Sequence, residues 1–367
     1  MDKVISFVKR NTVLCIAALA ALTTSLIVPP DTEYLGYFDF KTLTCLFCTL
    51  AVICALRDIS FFYTVAQKIV RKVKNARICI LTLIFITFIG SMLIANDMAL
   101  LTFLPLGYFV LTTTKKEKYM AFTFIMQNIA ANLGGMLTPF GNPQNLFLYS
   151  KFNIPTDEFI KIMFLPFIIS IALITLCCCV FVKPEALEVD GNPPKLDKNR
   201  TVLYLILFAF SIIIVFRVIP YWIGLIIITA VLFFADRHAL QQVDYPLLFT
   251  FVCFFIFAGN MGRIEVIQEF FAGLLEKNTL IVSVLSCQFI SNVPSAILLS
   301  QFTENYQDLL IGVNIGGAGT LIASLASLIT FREFTKNNPR QTVKYVEMFT
   351  ALNFAFLAVL TGAMVII

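Results

Sequence analysis

The sequence predicts an all-α polytopic membrane protein. It should be built of two inverted repeats, each with a re-entrant hairpin and a broken helix, giving about nine crossings plus two hairpins. Three observations predict this. Of 367 residues, 59% are hydrophobic and only 13% are charged, against about 25% charged in a soluble domain, so no charged skin can form. The chain divides into apolar runs long enough to cross a bilayer. Polar interruptions inside those runs recur in the same order in both halves. The composition excludes a soluble enzyme, a nucleic-acid partner and a disordered chain, and makes the lipid bilayer the main partner.

The runs lie at 12–29, 41–57, 76–113, 119–147, 159–182, 201–217, 219–235, 244–262, 279–301, 306–330 and 343–367. The first follows Lys3, Lys9 and Arg10 and reads as a span rather than a cleaved leader, because the repeat requires it. Between spans, residues 58–75 read as an amphipathic helix on the membrane surface. Phe61, Phe62, Val65, Ile69, Val70 and Val73 form its apolar face, and basic residues from Lys68 to Lys74 fill the rest. The run 76–113 is too long for one helix and is interrupted by Asn96 and Asp97. Residues 264–275 hold the surface-helix place in the second half. In 279–301 an arm of about 18 Å precedes Ser291, Asn292 and Pro294, too short for a hydrocarbon core of about 30 Å. Both runs therefore read as re-entrant hairpins with polar tips. Residues 183–200, with three Pro and one Gly, read as a cytoplasmic linker. The expected division is 1–182 for the first repeat, 183–218 for the linker and an extra connecting helix, and 219–367 for the second repeat.

Charge orients this arrangement. The side holding the N-terminus collects 21 of the 27 Lys and Arg, and the other side receives Lys41, Lys151, Lys161, Arg217, Arg263 and Lys277. The positive-inside rule places the N-terminus in the cytoplasm and the C-terminus outside, in a bacterial-type plasma membrane. The ten Cys lie mostly in apolar runs, the Cys45–Cys48 pair included, and the single His, His238, sits in a polar loop. No disulfide framework, metal cofactor or other cofactor is expected. There is no P-loop, HExxH or GxSxG, so neither ATP hydrolysis nor an intramembrane hydrolase is expected, and the chain reads as no enzyme.

The repeat is carried by three matches in order. Residues 38–50 recur at 243–255, pairing Asp39 with Asp244. Residues 93–101 recur at 289–297, pairing Asn96 with Asn292 and Asp97 with Val293. Residues 132–145 recur at 314–327, pairing Asn132 with Asn314, Gly134 and Gly135 with Gly316 and Gly317, and Thr138 with Thr320. The connecting helix at 201–217 makes the number of crossings between equivalent points odd, so the halves sit upside down to one another. Inverted repeats with broken helices are a mark of secondary transporters.

Gly134, Gly135, Pro139, Gly141 and Pro143 cannot continue one smooth helix. Backbone groups freed inside a membrane must be buried in protein or line a wet cavity. A half-helix N-terminus offers N–H groups to an anion, and carbonyls, hydroxyls and amide oxygens can hold a small cation. One expected half-site is Asn96, Asp97, Thr138, Gly141, Asn142 and Asn145. The other is Ser291, Asn292, Ser295, Asn314, Thr320 and Ser324. Asp97 is the one acid well inside an apolar run, a costly placement that makes it the candidate for a coupling ion or proton. Na+ is placed near Asn96, Asp97 and Asn292. Gln127 and Asn128 face either the pocket or a helix neighbour.

These residues resemble the ion transporter superfamily, which includes citrate transporters, arsenite permeases, sodium/proton antiporters and divalent anion/sodium symporters. ANDMALLTFLPLG (95–107) is similar to its first signature, TPFGNPQN (138–145) to its first break, SNVPSA (291–296) to its second hairpin tip, and GVNIGGAGTLIASLASLI (312–329) to its second break. The symporters carry Ser-Asn-Thr at both tips. Here Ala95-Asn96-Asp97 and Ser291-Asn292-Val293 stand there, closer to the arsenite permease and citrate transporter branch. The resemblance implies a homodimeric scaffold with a mobile domain that moves as an elevator. The expected function is secondary active transport of a small anionic solute or organic acid, coupled to Na+ or H+. A cation/proton antiporter on the same scaffold is the alternative.

Overall fold

The computed structural model describes residues 11–187 and 194–366. Lys3, Lys9, Arg10 and the middle of the expected linker lie outside the described residues. Among these residues there is no strand, only an isolated bridge between Asn75 and Ala186. Seven of the described helices are long and apolar enough to cross a membrane, with two shorter apolar helices beside them. The protein is an all-helical polytopic membrane protein.

The first half runs α1 (Thr12–Ile27), α2 (Phe40–Asp58), α3 (Phe61–Val70), α4 (Ala76–Ile94), α5 (Asn96–Thr113), α6 (Met120–Gly134), α7 (Pro143–Lys151) and α8 (Thr156–Phe181). Then come α9 (Lys198–Val215), α10 (Tyr221–Ala235), α11 (Tyr245–Gly262), α12 (Glu265–Ile290), α13 (Asn292–Leu299), α14 (Tyr306–Ile315), α15 (Leu325–Asn337) and α16 (Thr342–Ile366). Side-chain caps start several of them. Asp39 accepts from Thr42 N before α2, and Asp244 accepts from Leu247 N before α11, the same device at matched places.

Helix α8 is about 39 Å long at 1.5 Å per residue, and its two ends define the two ends of the molecule. At its start, Glu158 accepts from the Tyr306 hydroxyl (2.7 Å) and Thr156 bonds Tyr149 (2.7 Å). Just past its end, Arg77 Nε donates to the Val182 carbonyl (2.7 Å), and Glu185 pairs with Lys116 and Lys118 (2.5 Å each). So α4 and α6 begin at the linker end, while α14 begins at the opposite end. The two broken helices, α6–α7 and α14–α15, enter from opposite ends and meet in the middle. Helix α7 packs on α13 and α14, and α15 packs on α5 and α6, so each half's second half-helix lies against the other half's hairpin.

Single residues turn both hairpins. Ala95 (φ 63°, ψ 151°) joins α4 to α5, and Ser291 (φ 73°, ψ 160°) joins α12 to α13. A non-glycine residue at positive φ costs about 1–3 kcal/mol, and only dense surroundings hold it there. Ala95 lies about 28 Å along α4 from the linker end, short of the span of α8.

Three elements differ from their sequence expectation. The surface helix α3 covers only Phe61–Val70, so Arg71, Lys72 and Lys74 fall in the turn beyond it, and its buried face is Thr64, Ala66, Gln67 and Val70. Val65 and Ile69 point outward instead. The expected surface helix at 264–275 and the hairpin arm merge into α12, with a break at Asn278 (φ −165°, ψ 95°) whose side chain caps Ile281 N (2.8 Å). Helix α15 continues to Asn337, past the end of the apolar run. Buried Phe334, stacked on Tyr345 at 4.3 Å, keeps one face of that extension packed while Arg332 and Lys336 occupy the others.

Candidate functional site

The tips and the breaks meet in a buried cluster of amides. At each tip an Asn side chain accepts from the next backbone N–H: Asn96 Oδ1 from Asp97 N, and Asn292 Oδ1 from Val293 N, both at 2.9 Å. This leaves each carboxamide nitrogen facing inward. Asn96 Nδ2 donates to Asn132 Oδ1 (3.2 Å) at the end of α6. Gly317 of the second break lies between the halves: a Cβ there would sit 3.0 Å from Asn292 Nδ2 and 3.5 Å from Asn132 Oδ1.

In the first break, Thr138 Oγ1 donates to the Met92 carbonyl (2.7 Å), fastening the break to the first hairpin. In the second, Thr320 Oγ1 donates to the Gln288 carbonyl (3.1 Å), at the matched place. Asn145 Nδ2 closes the first break by donating to the carbonyls of Gly135, Met136 and Thr138 (3.1–3.3 Å). Gly141 presses on Gly135 so closely that a Cβ on Gly135 would come within 2.8 Å of the Gly141 carbonyl and collide with Asn142 Oδ1. Only glycine permits that approach.

Asn314 ties the two breaks together. Its Nδ2 donates to Asn145 Oδ1 (2.6 Å), and its Oδ1 accepts from Asn142 Nδ2 (3.2 Å) and Gln144 Nε2 (3.4 Å). Ser324 caps α15 through Ser327 N (3.2 Å), and Asn128 Nδ2 reaches Ser327 Oγ (3.2 Å). Asn142 Oδ1 and Gln144 Oε1 are buried acceptors with no donor among the described residues. The positive pole at the start of α7 favours an anion, and a dehydrated cation is a partner these two oxygens accept.

Two expected residues sit elsewhere. Ser295 is fully buried, but its Oγ bonds Ser286 Oγ (2.9 Å) on the other arm of its own hairpin. Asp97 is half-buried and lines a separate cavity of about 20 Å³ with Thr49, Met98, Phe140, Pro143 and Asp244. Its Oδ1 has no hydrogen-bond partner there. Gln127 donates to Thr87 (2.9 Å) and the Phe103 carbonyl (3.2 Å), so it joins α6 to the hairpin.

The expected sites omitted Asn132, Gln144 and Gln288. Gln288 clamps the second break: Nε2 donates to the Gly316 carbonyl (2.9 Å), and Oε1 accepts from Thr320 N (2.9 Å). Its signal was a lone amide in an apolar arm, four residues before the tip Asn.

Comparison with known proteins places these features in context. The model of the citrate transporter family matches residues 3–308, which hold the first break and both tips. The chain is 35% identical over 302 residues to an uncharacterized transporter from Methanocaldococcus jannaschii, covering 82% of each chain. It is 29% identical over 284 residues to the inner membrane protein YbiR of Escherichia coli, covering 74% of each. A shorter match, 26% over 122 residues, covers 33% of this chain and 21% of the putative transporter arsB of Dictyostelium discoideum.

Proposed function

The chain belongs to the citrate transporter family, and from that premise we propose that this membrane transporter is a secondary carrier of a small anion or organic acid, coupled to Na+ or H+. The observation that carries the reading is the meeting of two helices, broken at matched residues and entering from opposite ends, at Asn142, Asn145 and Asn314. Such breaks supply half-helix N-termini for an anion and freed oxygens for a cation near mid-membrane. In this reading residues 1–182 and 219–367 are inverted repeats, the hairpins are re-entrant, and the segment 183–218 connects them. The N-terminus lies in the cytoplasm, the C-terminus outside. Homodimeric elevator movement completes the proposal, with the hairpins and broken helices as the moving part. The chemistry is that of a carrier rather than an enzyme.

Uptake into proteoliposomes with a panel of carboxylates and oxyanions, under imposed Na+ or pH gradients, tests it. Accumulation of one solute driven by one gradient is the expected result. Flux that needs no gradient, with channel-like conductance, overturns it.

The Asp97 cavity supports a second reading, cation/proton exchange on the same scaffold, because Asp97 and Asp244 line it together. Proton movement reported by a pH dye on adding Na+, with no organic solute present, favours exchange; its absence sinks that reading.

A further inference from the structure

At the end of the molecule opposite the linker, a cavity of about 400 Å³ opens between the segment before α2, the end of α7 and α11. That is space for about a dozen waters at about 30 Å³ each. Lys41 and Lys151 both line it, with Ser150 and Gln301. Neither ammonium has a carboxylate partner among the described residues, whereas Arg263 at the same end holds Asp31 (2.7 Å) and Glu33 (3.3 Å). Asp39 also lines the cavity, but both its oxygens are engaged by Thr42, through the backbone N–H (2.9 Å) and the hydroxyl (2.5 Å).

Helix stability does not account for this pair. Lys151 ends α7 and suits the negative pole there, but Lys41 sits in the first turn of α2, where a cation opposes the helix dipole. Arg217, a third cation bound to the carbonyls of Tyr149 and Ile154, acts on Lys41 as a like charge. Glu304 acts on Lys151 from a distance without forming an ion pair. Asp39 acts as an opposite charge on both lysines and Glu304 on Lys151, so with Arg217 the basin keeps an excess of one positive charge, whose complement is an anion from solution. Helix α7 then leads about 13 Å from Lys151 to its positive pole at Asn142 in the amide cluster.

We propose that this basin is a docking site where a small carboxylate anion collects before it reaches the broken helices. The inference rests on the transport reading for its purpose, but its binding step is measurable separately. The test uses the full chain in phosphatidylcholine proteoliposomes, which present no anionic headgroup, with citrate as the probe. In a background without the native cysteines, Lys41→Cys and Lys151→Cys are each modified by membrane-impermeant thiosulfonates.

The anionic reagent should react several-fold faster than the cationic one. Millimolar citrate should slow modification at both positions, while chloride at equal ionic strength should not. In the native background, Lys41→Gln with Lys151→Gln should raise the KM for citrate uptake about fivefold, more than it lowers kcat. Asn96→Ala should lose uptake and keep the citrate protection of Lys151→Cys. Citrate uptake with neither protection nor a KM shift overturns the docking site alone. Protection without uptake of any anion overturns the transport reading and keeps the docking site. Protection lost when anionic lipid is restored assigns the basin to lipid headgroups and overturns the solute proposal.

Discussion

Asn314→Ala removes the carboxamide that joins the two broken helices, and its cost can be worked from the contacts. The side chain is 1% exposed. Its removal strands Asn145 Oδ1 and Gln144 Nε2, which have no other partner among the described residues, whereas Asn142 Nδ2 keeps the Asn132 carbonyl (3.2 Å). Two stranded buried groups at about 1–3 kcal/mol each set a range of about 2–6 kcal/mol. Interhelical hydrogen bonds inside membranes average only about 0.6 kcal/mol, since unfolded helices find other partners. Burial raises the cost and water entering the vacated space lowers it, so about 2 kcal/mol is expected. That is a change of about thirtyfold in the folding equilibrium. Reversible unfolding in mixed detergent micelles measures it, and a double-mutant cycle with Asn145→Ala isolates the 2.6 Å bond. Uptake should fall at least tenfold, because the half-helix ends lose their register. Stability within about 0.5 kcal/mol of the parent, no coupling in the cycle and full uptake would refute the idea that Asn314 holds the breaks together.

Gly135→Ala should abolish uptake and lower stability by about 1–3 kcal/mol, since the new Cβ meets the Gly141 backbone; Gly362→Ala, with nothing within 4 Å, is the tolerated control in the same unfolding assay. Asp97→Asn should leave expression and folding intact and remove the dependence of solute accumulation on the coupling gradient, read as steady-state uptake against external pH and Na+; unchanged profiles would release Asp97 from coupling. Lys116 and Lys118 hold the Glu185 carboxyl at about 2, well below its ordinary 4.5. Its contribution is therefore full above about pH 4.5 and lost as pH falls toward 2, so peptic cleavage near Leu187 should speed up as pH falls through that window, and Glu185→Gln, which has already lost the pair, should show no such step. Lys195→Cys should label from the cytoplasmic side and Asp157→Cys from the outside, in a background without native cysteines; labelling of both from one side would break the inverted arrangement.

The sequence disclosed the positions where helices stop, because Gly, Pro and Asn inside an apolar run have few inexpensive explanations in a membrane. Ala95 and Ser291 turn the chain beside the polar residues that marked the tips, and Asn278 divides α12 where the surface helix was expected to end. Rotation about helix axes was not legible. A single acid in an apolar run gives no sign of which neighbour it faces, and Asp97 looks toward α2 and Asp244 rather than into the amide cluster. Ser295 shares a tip with Asn292, yet one turn of α13 carries it against Ser286. The extension of α15 was hidden because its packing rests on Phe334 meeting Tyr345 of α16, a contact between elements with no local signature.

The matched positions that differ show how the two breaks divide the work. Gln288 stands where the first half has Met92, and its amide satisfies both the Gly316 carbonyl and the Thr320 N–H. Gly319, at φ 140°, leaves the space this side chain fills, since any Cβ there would strike Gln288 Oε1. The second break is thus closed by a side chain from its own hairpin. The first has no such clamp: Met92 offers only its carbonyl, and Asn142 Oδ1 and Gln144 Oε1 remain without donors. The same half carries Asp97, where the second carries Val293. At the breaks, the spare buried acceptors and Asp97 therefore lie in the first half, although the backbone is nearly matched in both. A coupling ion of the kind proposed would need oxygens that are not already committed, and at the breaks those stand in the first half, which Asn314 ties to the second.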